Sequence, residues 1–267
     1  MSNDDDSSRA KLTVSSKMNK TDILLRSQKL KKHIPATRWL SLSKLTSMLD
    51  QYRMVYVKPD KGSKGIGVIR VEKTKYGFQY QRDTRVYRFE TLASLHRSLQ
   101  KLTDEKMYLV QRGIHLLKHE GRVYDFRIMV QRNPSGEWEC TGTVARVAHP
   151  KKIVSNGSQG GTIYAPMDLL RPVCGKVRAV QLLKQMDGLA LLTAKKLSED
   201  YPRLNELGLD IAIDQKLKPW ILEVNTLPDP CPFTKLDDKE IIDRIVEYAK
   251  GYGRRYKLNC MKAKKAP

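Results

Sequence analysis

Residues 208–228 set acids inside two strongly apolar runs: Gly208-Leu-Asp210-Ile-Ala-Ile-Asp214, a polar break, then Pro219-Trp-Ile-Leu-Glu223-Val-Asn225-Thr-Leu-Pro228. β-Branched and aromatic residues either side of residues 215–218 predict a strand hairpin. Side chains alternate along a strand, so Asp210, Ala212 and Asp214 share one face of the first strand, and Ile221, Glu223 and Asn225 share one face of the second. The hairpin can therefore bring Asp210 beside Glu223 and Asn225. An acid in a strand as apolar as WILEVN is costly without a cation to answer it. Three hard oxygen donors, two of them anionic, suit Mg²⁺ with phosphate oxygens completing its octahedron. The bland alternative is a polar sheet face answering some of the chain's many basic side chains.

Those basic residues are numerous. Lys and Arg number 50 against 29 Asp and Glu in 267 residues, a formal charge of +21, which draws phosphates and other anions by long-range field. With 40% apolar residues the chain can fill a core, so disorder is excluded for most of it. The cysteines, 140, 174, 231 and 260, form no CxxC pair and indicate neither a zinc site nor a disulfide framework, which suggests a reducing cytoplasm. The acidic opening MSNDDD is unlike a secretory signal, and no apolar run approaches the roughly 20 residues of a membrane helix.

Along the chain, residues 1–17 read as a disordered leader and 251–267 as a basic, solvated tail. Between them the pattern gives two α+β units, 18–110 and 111–250, with a cleft between them. The first begins with an amphipathic helix over 21–33 capped by Thr21 or Asp22. An antiparallel meander over 53–58, 66–72, 78–82 and 85–89 follows, then a helix carrying Leu92, Leu95, Leu99 and Leu102. The second unit has long strands over 123–131 and 138–148 joined by Asn133-Pro-Ser-Gly136, a glycine-rich loop ending at Gly161, a helix over 177–200, the acid-bearing hairpin and a closing helix over 239–249.

A second motif, Val55-Tyr-Val-Lys58-Pro-Asp-Lys-Gly-Ser63-Lys-Gly-Ile-Gly67, ends a strand on a lysine and continues into a loop of glycines and lysines. Glycine lets backbone N–H groups approach an anion closely. The spacing is not that of a Walker loop, and on its own the segment also reads as an ordinary turn.

Together with Asn19-Lys20, His33-Ile-Pro-Ala-Thr37, Tyr108-Leu-Val-Gln-Arg-Gly-Ile114, Tyr124-Asp-Phe-Arg127, Thr141-Gly-Thr-Val-Ala-Arg146, Asn156 and Gly160-Gly161, these motifs occur in an order that resembles the ATP-grasp superfamily, and within it the YheC/YheD family described as endospore coat-associated. The resemblance covers residues 19–248 and implies an α+β ATP-grasp fold whose two subdomains grip MgATP, here without an N-terminal pre-ATP-grasp domain ahead of Lys20. It implies Lys20 and Lys58 on the nucleotide phosphates, Ser63 in the loop closing over them, and Gln111, Arg112, Gly113 and Ile114 as the adenine hinge. Gln111 stands where many relatives have glutamate. Asp125 would hold the ribose, and Asp210, Glu223 and Asn225 would hold one or two Mg²⁺ ions, with Mn²⁺ as a substitute. Arg127 and Arg146 would point at the γ-phosphate; their guanidinium forks suit phosphoryl or carboxylate groups. Many carboxylate ligases carry a basic residue just before the first metal aspartate, where this chain has Gly208-Leu209, so that charge role would pass to Arg146 or to Asn156 and the Gly160-Gly161 amides.

The implied reaction is ATP-dependent ligation of an unspecified carboxylate to an amine or thiol through an acyl phosphate, in a cytoplasmic or spore-associated protein. The rivals are a small-molecule kinase in the same cleft and a noncatalytic nucleotide-binding or spore-structural protein. An anionic partner for the basic surface is compatible with the charge. Nucleic-acid binding ranks lowest, because aromatic residues make up only 7% of the chain and the cations are spread out.

Overall fold

The computed structural model describes residues 14–63, 65–103, 106–150, 161–260 and 263–266. Asn156, Gly160 and the predicted leader as far as residue 13 lie outside them. Two sheets make the framework: a six-stranded sheet in the order β1-β6-β2-β3-β4-β5, and a seven-stranded one in the order β12-β11-β8-β9-β10-β13 with β7 paired to β8.

The first described helix packs on the second unit. Helix α1 (Lys17–Leu25) and a 3₁₀ turn (Leu30–His33) bury Ile23, Leu24, Leu30 and Ile34 in the core that also holds Phe126, Leu182 and Ile211. Ser16 caps α1 by accepting from the Asn19 N–H, so the expected cap at Thr21 or Asp22 is corrected. Val14 is buried and donates its N–H to Thr226 Oγ1, and Ser16 donates to Asp60 Oδ1, so these two residues, expected in the leader, are packed.

The first sheet comprises β1 (Thr37–Trp39), β2 (Met54–Pro59), β3 (Ile69–Thr74), β4 (Gly77–Arg82), β5 (Arg85–Phe89) and β6 (Tyr108–Arg112). The predicted meander is β2-β3-β4-β5. Helices α2 (Leu42–Tyr52) and α3 (Leu92–Thr103) cover its outer face with Leu45, Met48, Leu49, Leu95 and Leu99. Helix α2 was not foreseen, although its leucines recur at helical spacing.

The second sheet contains β7 (Lys118–His119), β8 (Arg122–Arg132), β9 (Trp138–Val147), β10 (Thr162–Tyr164), β11 (Glu206–Ile213), β12 (Pro219–Asn225) and β13 (Lys264–Lys265). Helix α4 (Pro166–Asp200) packs on it through Leu182, Met186, Ala190 and Leu197. Gly175 (φ 76°), three residues after Pro172, divides α4 into a short leading piece and the long span anticipated from 177. On the other face, α5 (Glu240–Gly251) buries Ile242 and Ile245 against Met129, Val144 and Phe233. Among the described residues no helix is long and apolar enough to cross a membrane.

Within the expected solvated tail, Tyr252, Arg254, Tyr256 and Ala263 pack on the second unit. Tyr252 and Tyr256 donate to the buried Glu206, Arg254 pairs with it, and Lys264–Lys265 add β13 beside β10. Cys231 and Cys260 form a disulfide, which corrects the reading of four unpaired cysteines; Cys140 and Cys174 are free.

Candidate active site

A cleft runs between the sheets, with Tyr56, Lys58 and Gln111 on one wall and Asp125, Asp210, Leu222 and Glu223 on the other. Its rim includes the glycine loop after β2, with Gly62, Ser63, Gly65 and Ile66. Gly62 (φ 126°) and Gly67 (φ 77°) adopt the left-handed backbone that this tight loop requires. Lys17 anchors the loop by donating Nζ to the carbonyls of Pro59 (3.1 Å) and Gly62 (2.9 Å).

The acid-bearing hairpin forms, β11 and β12 being antiparallel with Asp210 directly opposite Glu223 and Gly208 opposite Asn225, but a register shift after Asp210 pairs Ile211 with Ile221, so Ile221 joins the core and does not share the Glu223 face as expected. Three lysines gather around Glu223. Lys17 Nζ lies 3.6 Å from its Oε1. Lys20 and Lys58 each have a pKa lowered to about 8, because burial penalises the ammonium more than Glu223 supports it. Lys58 lines the main cleft and donates to Leu222 O at 3.4 Å. Lys20 sits behind it in an adjoining cavity that shares Lys17, Lys58, Gln111 and Glu223. Lys17 escaped the sequence reading, although its place three residues before Lys20 puts both on one helical face.

The hinge is built by strand pairing. Arg112 N–H donates to Ala36 O (2.8 Å) and Gly113 N–H to Met54 O (2.9 Å). A Cβ on Gly113 would meet Met54 at 2.6 Å, so only glycine fits. Among the described residues no hydrogen bond engages the Ile114 N–H, and Ile114 lines the cleft. Thr37 donates its hydroxyl to Pro35 O and so must accept from Gln111 Nε2 (3.0 Å), which leaves Gln111 Oε1 as the acceptor. The Arg112 guanidinium lies over Tyr52 (4.9 Å) and Trp220 (5.0 Å), tying α2 to β12.

Arg127 and Arg146 do not project into open cleft as expected. Because β8 lies between β9 and β11, their guanidiniums meet acids on neighbouring strands. Arg146 grips Asp125 with two hydrogen bonds (2.8 and 2.6 Å) and reaches Asp210 Oδ2 at 3.0 Å, while Arg127 Nε donates to Asp210 Oδ1 at 2.6 Å. All four side chains are buried and their formal charges cancel. Burial works against the Asp210 carboxylate, yet Arg127 and Arg146 outweigh it and hold its carboxyl below the usual range. Burial would likewise lower Arg146, but Asp125 and Asp210 hold it above its ordinary value. Asp125, expected on the ribose, is thus first the partner of Arg146. Asn225 does not line the cleft; its Nδ2 donates to Gly208 O at 3.3 Å.

Two sheets facing across a cleft, a glycine loop over lysines and a paired-acid hairpin are the parts of a nucleotide-gripping fold, and the comparisons agree. Residues 10–254 match the family described as YheC/D like ATP-grasp. The chain belongs to that family. It is 26% identical over 195 residues to endospore coat-associated protein YheD of Bacillus subtilis (strain 168), covering 70% of this chain and 42% of that protein. It is 27% identical over 201 residues to YheC of the same organism, covering 73% and 55%. The chain thus spans about half the length of the curated relatives it matches. Among solved structures, D-cycloserine synthetase DcsG superposes with a TM-score of 0.55 at 12% identity, covering 89% of this chain and 70% of that one. N5-carboxyaminoimidazole synthetase from Staphylococcus aureus, complexed with ADP, gives 0.55 at 8% identity, covering 92% and 53%. These likenesses establish the ATP-grasp fold.

Proposed function

We propose that the cleft binds MgATP and that the protein is an ATP-dependent ligase, activating a carboxylate as its acyl phosphate for attack by an amine or thiol. The observation that carries this reading is the gathering of Lys17, Lys20 and Lys58 around Glu223, opposite Asp210 and under the glycine loop. Cations and hard anionic donors converging on one cleft match a nucleotide phosphate chain with its metal.

In this reading Lys58 and Lys20 neutralise the phosphates, Ser63 and its loop cover them, and Lys17 holds the loop in place. The Ile114 N–H and Gln111 Oε1 supply the donor and acceptor for the adenine edge, and Asp125 faces the ribose from its pair with Arg146. The donor chemistry fits Mg²⁺. Each ionised oxygen of Asp210 keeps a lone pair beyond its guanidinium bond, Glu223 has its nearest cation, Lys17, at 3.6 Å among the described residues, and Asn225, its nitrogen committed to Gly208, has its amide oxygen left to coordinate. Bound there, the metal would offset charge developing on the transferring phosphoryl group. Arg127 and Arg146 fix the buried Asp125 and Asp210 in place, and Lys17 and Lys58 carry the positive charge that lines the cleft where an acyl phosphate would form. Spore association, borne in the relatives' names, extends to this chain as part of the proposal.

A thermal melt tests the binding. Millimolar MgATP raises the midpoint of the wild type, since ligand at 100 times its dissociation constant adds about 2.7 kcal/mol. Lys58→Met abolishes most of that rise, and its ligand-free midpoint is unchanged or higher because a buried ammonium is removed. An unmoved wild-type melt contradicts the proposal. Product analysis separates the rivals: ADP with a stable phosphomonoester identifies a kinase, whereas ADP, phosphate and an amide or thioester identify a ligase.

The lysines also set a pH signature. Their folded pKa of about 8 lies below the ordinary 10.5, so the protonated lysines cost stability at neutral pH, a cost removed between about pH 8 and 10.5. Nucleotide binding needs them charged. MgATP affinity therefore falls as pH rises through 8, and binding near pH 8.5 takes up protons, visible as a buffer-dependent calorimetric enthalpy. A binding enthalpy near pH 8.5 that does not change with the ionisation heat of the buffer would contradict this.

A further inference from the structure

Residues 252–260 hold the carboxylate hairpin from outside the cleft. Glu206 opens β11, four residues before Asp210, and is buried. Its carboxylate accepts from Tyr252 Oη at 2.8 Å and from Tyr256 Oη, and pairs with Arg254, so its partners among the described residues all come from the C-terminal segment. Arg254 also donates to Pro228 O (3.2 Å) on the loop leaving β12, and Cys260 is bonded to Cys231 a few residues further along that loop. Pro228 in turn packs on Gly208, where a Cβ would come within 2.7 Å of it, and the Gly208 carbonyl anchors Asn225. The loop is thereby in contact with Gly208, two residues before Asp210 and opposite Asn225.

We propose that the C-terminal segment is a positioning clasp for the metal-binding hairpin, and that the Cys231–Cys260 disulfide is its thiol-sensitive lock. The expected effect on Mg²⁺ rests on the reading of the cleft given above; the effect on the hairpin itself does not. Opening the lock takes two electrons from a small thiol: one thiolate attacks a bridge sulfur to give a mixed disulfide and one cysteine thiol, and a second thiol resolves it, releasing the other cysteine and the oxidised reductant. Helix α5 stays seated through Ile242 and Ile245, so the part released is the segment beyond it.

The experiment compares the intact oxidised protein, the same protein treated with excess dithiothreitol, and Cys231→Ser/Cys260→Ser. Hydrogen exchange is read over 206–212 and 224–231, and ATP affinity is measured against Mg²⁺ concentration. Reduction and the double substitution each speed exchange in both peptides on the order of 10-fold and leave α2 and α3 unchanged. Each also raises the Mg²⁺ needed for half-maximal ATP binding several-fold, while ATP affinity without Mg²⁺ stays within about twofold. Dithiothreitol has no further effect on the double variant. Reduction of the wild type keeps the test valid if that variant does not fold. Exchange indifferent to reduction overturns the clasp, as does an equal response of the double variant, which would place the effect at Cys140 or Cys174. Responsive exchange in a protein that binds no MgATP supports the clasp and overturns the reading of the cleft instead.

Discussion

Glu223→Gln lowers ATP turnover on the order of 100-fold or more, because it removes one negative charge from the point where Lys17, Lys20, Lys58 and the proposed metal converge. The amide keeps the size of the side chain and its position opposite Asp210. Nucleotide binding falls far less, since Lys58, the hinge and Asp125 remain. The measurement is ADP release with an accepted substrate, alongside MgATP affinity; comparable turnover in variant and wild type removes Glu223 from the chemistry. Asp214→Asn, just past the end of β11, acts on stability instead. Asp214 accepts from the Lys216 N–H (2.9 Å), the Lys218 N–H (3.0 Å) and Trp220 Nε1 (2.8 Å), closing the hairpin turn. Its substitution costs about 1–2 kcal/mol of stability and leaves turnover by the folded protein intact.

Arg146→Met destabilises the ligand-free protein by about 3–5 kcal/mol, the usual result of stripping one partner from a buried ion pair. The midpoint falls by roughly 10 °C for a chain of this size. Arg146 is 2% exposed and bonds both oxygens of Asp125 and one of Asp210, so its loss takes a buried cation away from two buried carboxylates, with Arg127 still on Asp210. Arg146→Lys rescues only part of the loss, since a single ammonium cannot reproduce a fork to one acid and a contact to a second. A fall of less than about 1 kcal/mol would show that Asp125 and Asp210 draw their compensation from elsewhere.

What the sequence reveals and what it hides follow from the range of the interactions. The hairpin and the nearness of Asp210 to Glu223 were legible because face alternation and a short turn are local; the register shift beside Asp210 was not, because neither sets where a strand bulges. The meander and α3 were legible for the same reason. The arginine–carboxylate cluster was not: which acid meets Arg127 or Arg146 depends on the strand order β11-β8-β9, set by packing across the sheet. The C-terminal segment read as a solvated tail because its partner, Glu206, lies about 50 residues upstream, and an isolated Glu in a strand pattern gives no sign of what will cover it. Cys231 and Cys260, 29 residues apart, offered no local spacing signal. Helix α2 shows the opposite failure, a leucine pattern present and passed over.

The most direct test of the central claim is isothermal titration with ATP at neutral pH, with and without Mg²⁺, for the wild type and Lys58→Met. The account predicts one ATP per chain, binding weakened at least about tenfold when Mg²⁺ is chelated, and little binding by Lys58→Met while its ligand-free fold is intact. Saturable ATP binding that ignores both Mg²⁺ and Lys58, or none at millimolar nucleotide, would contradict it.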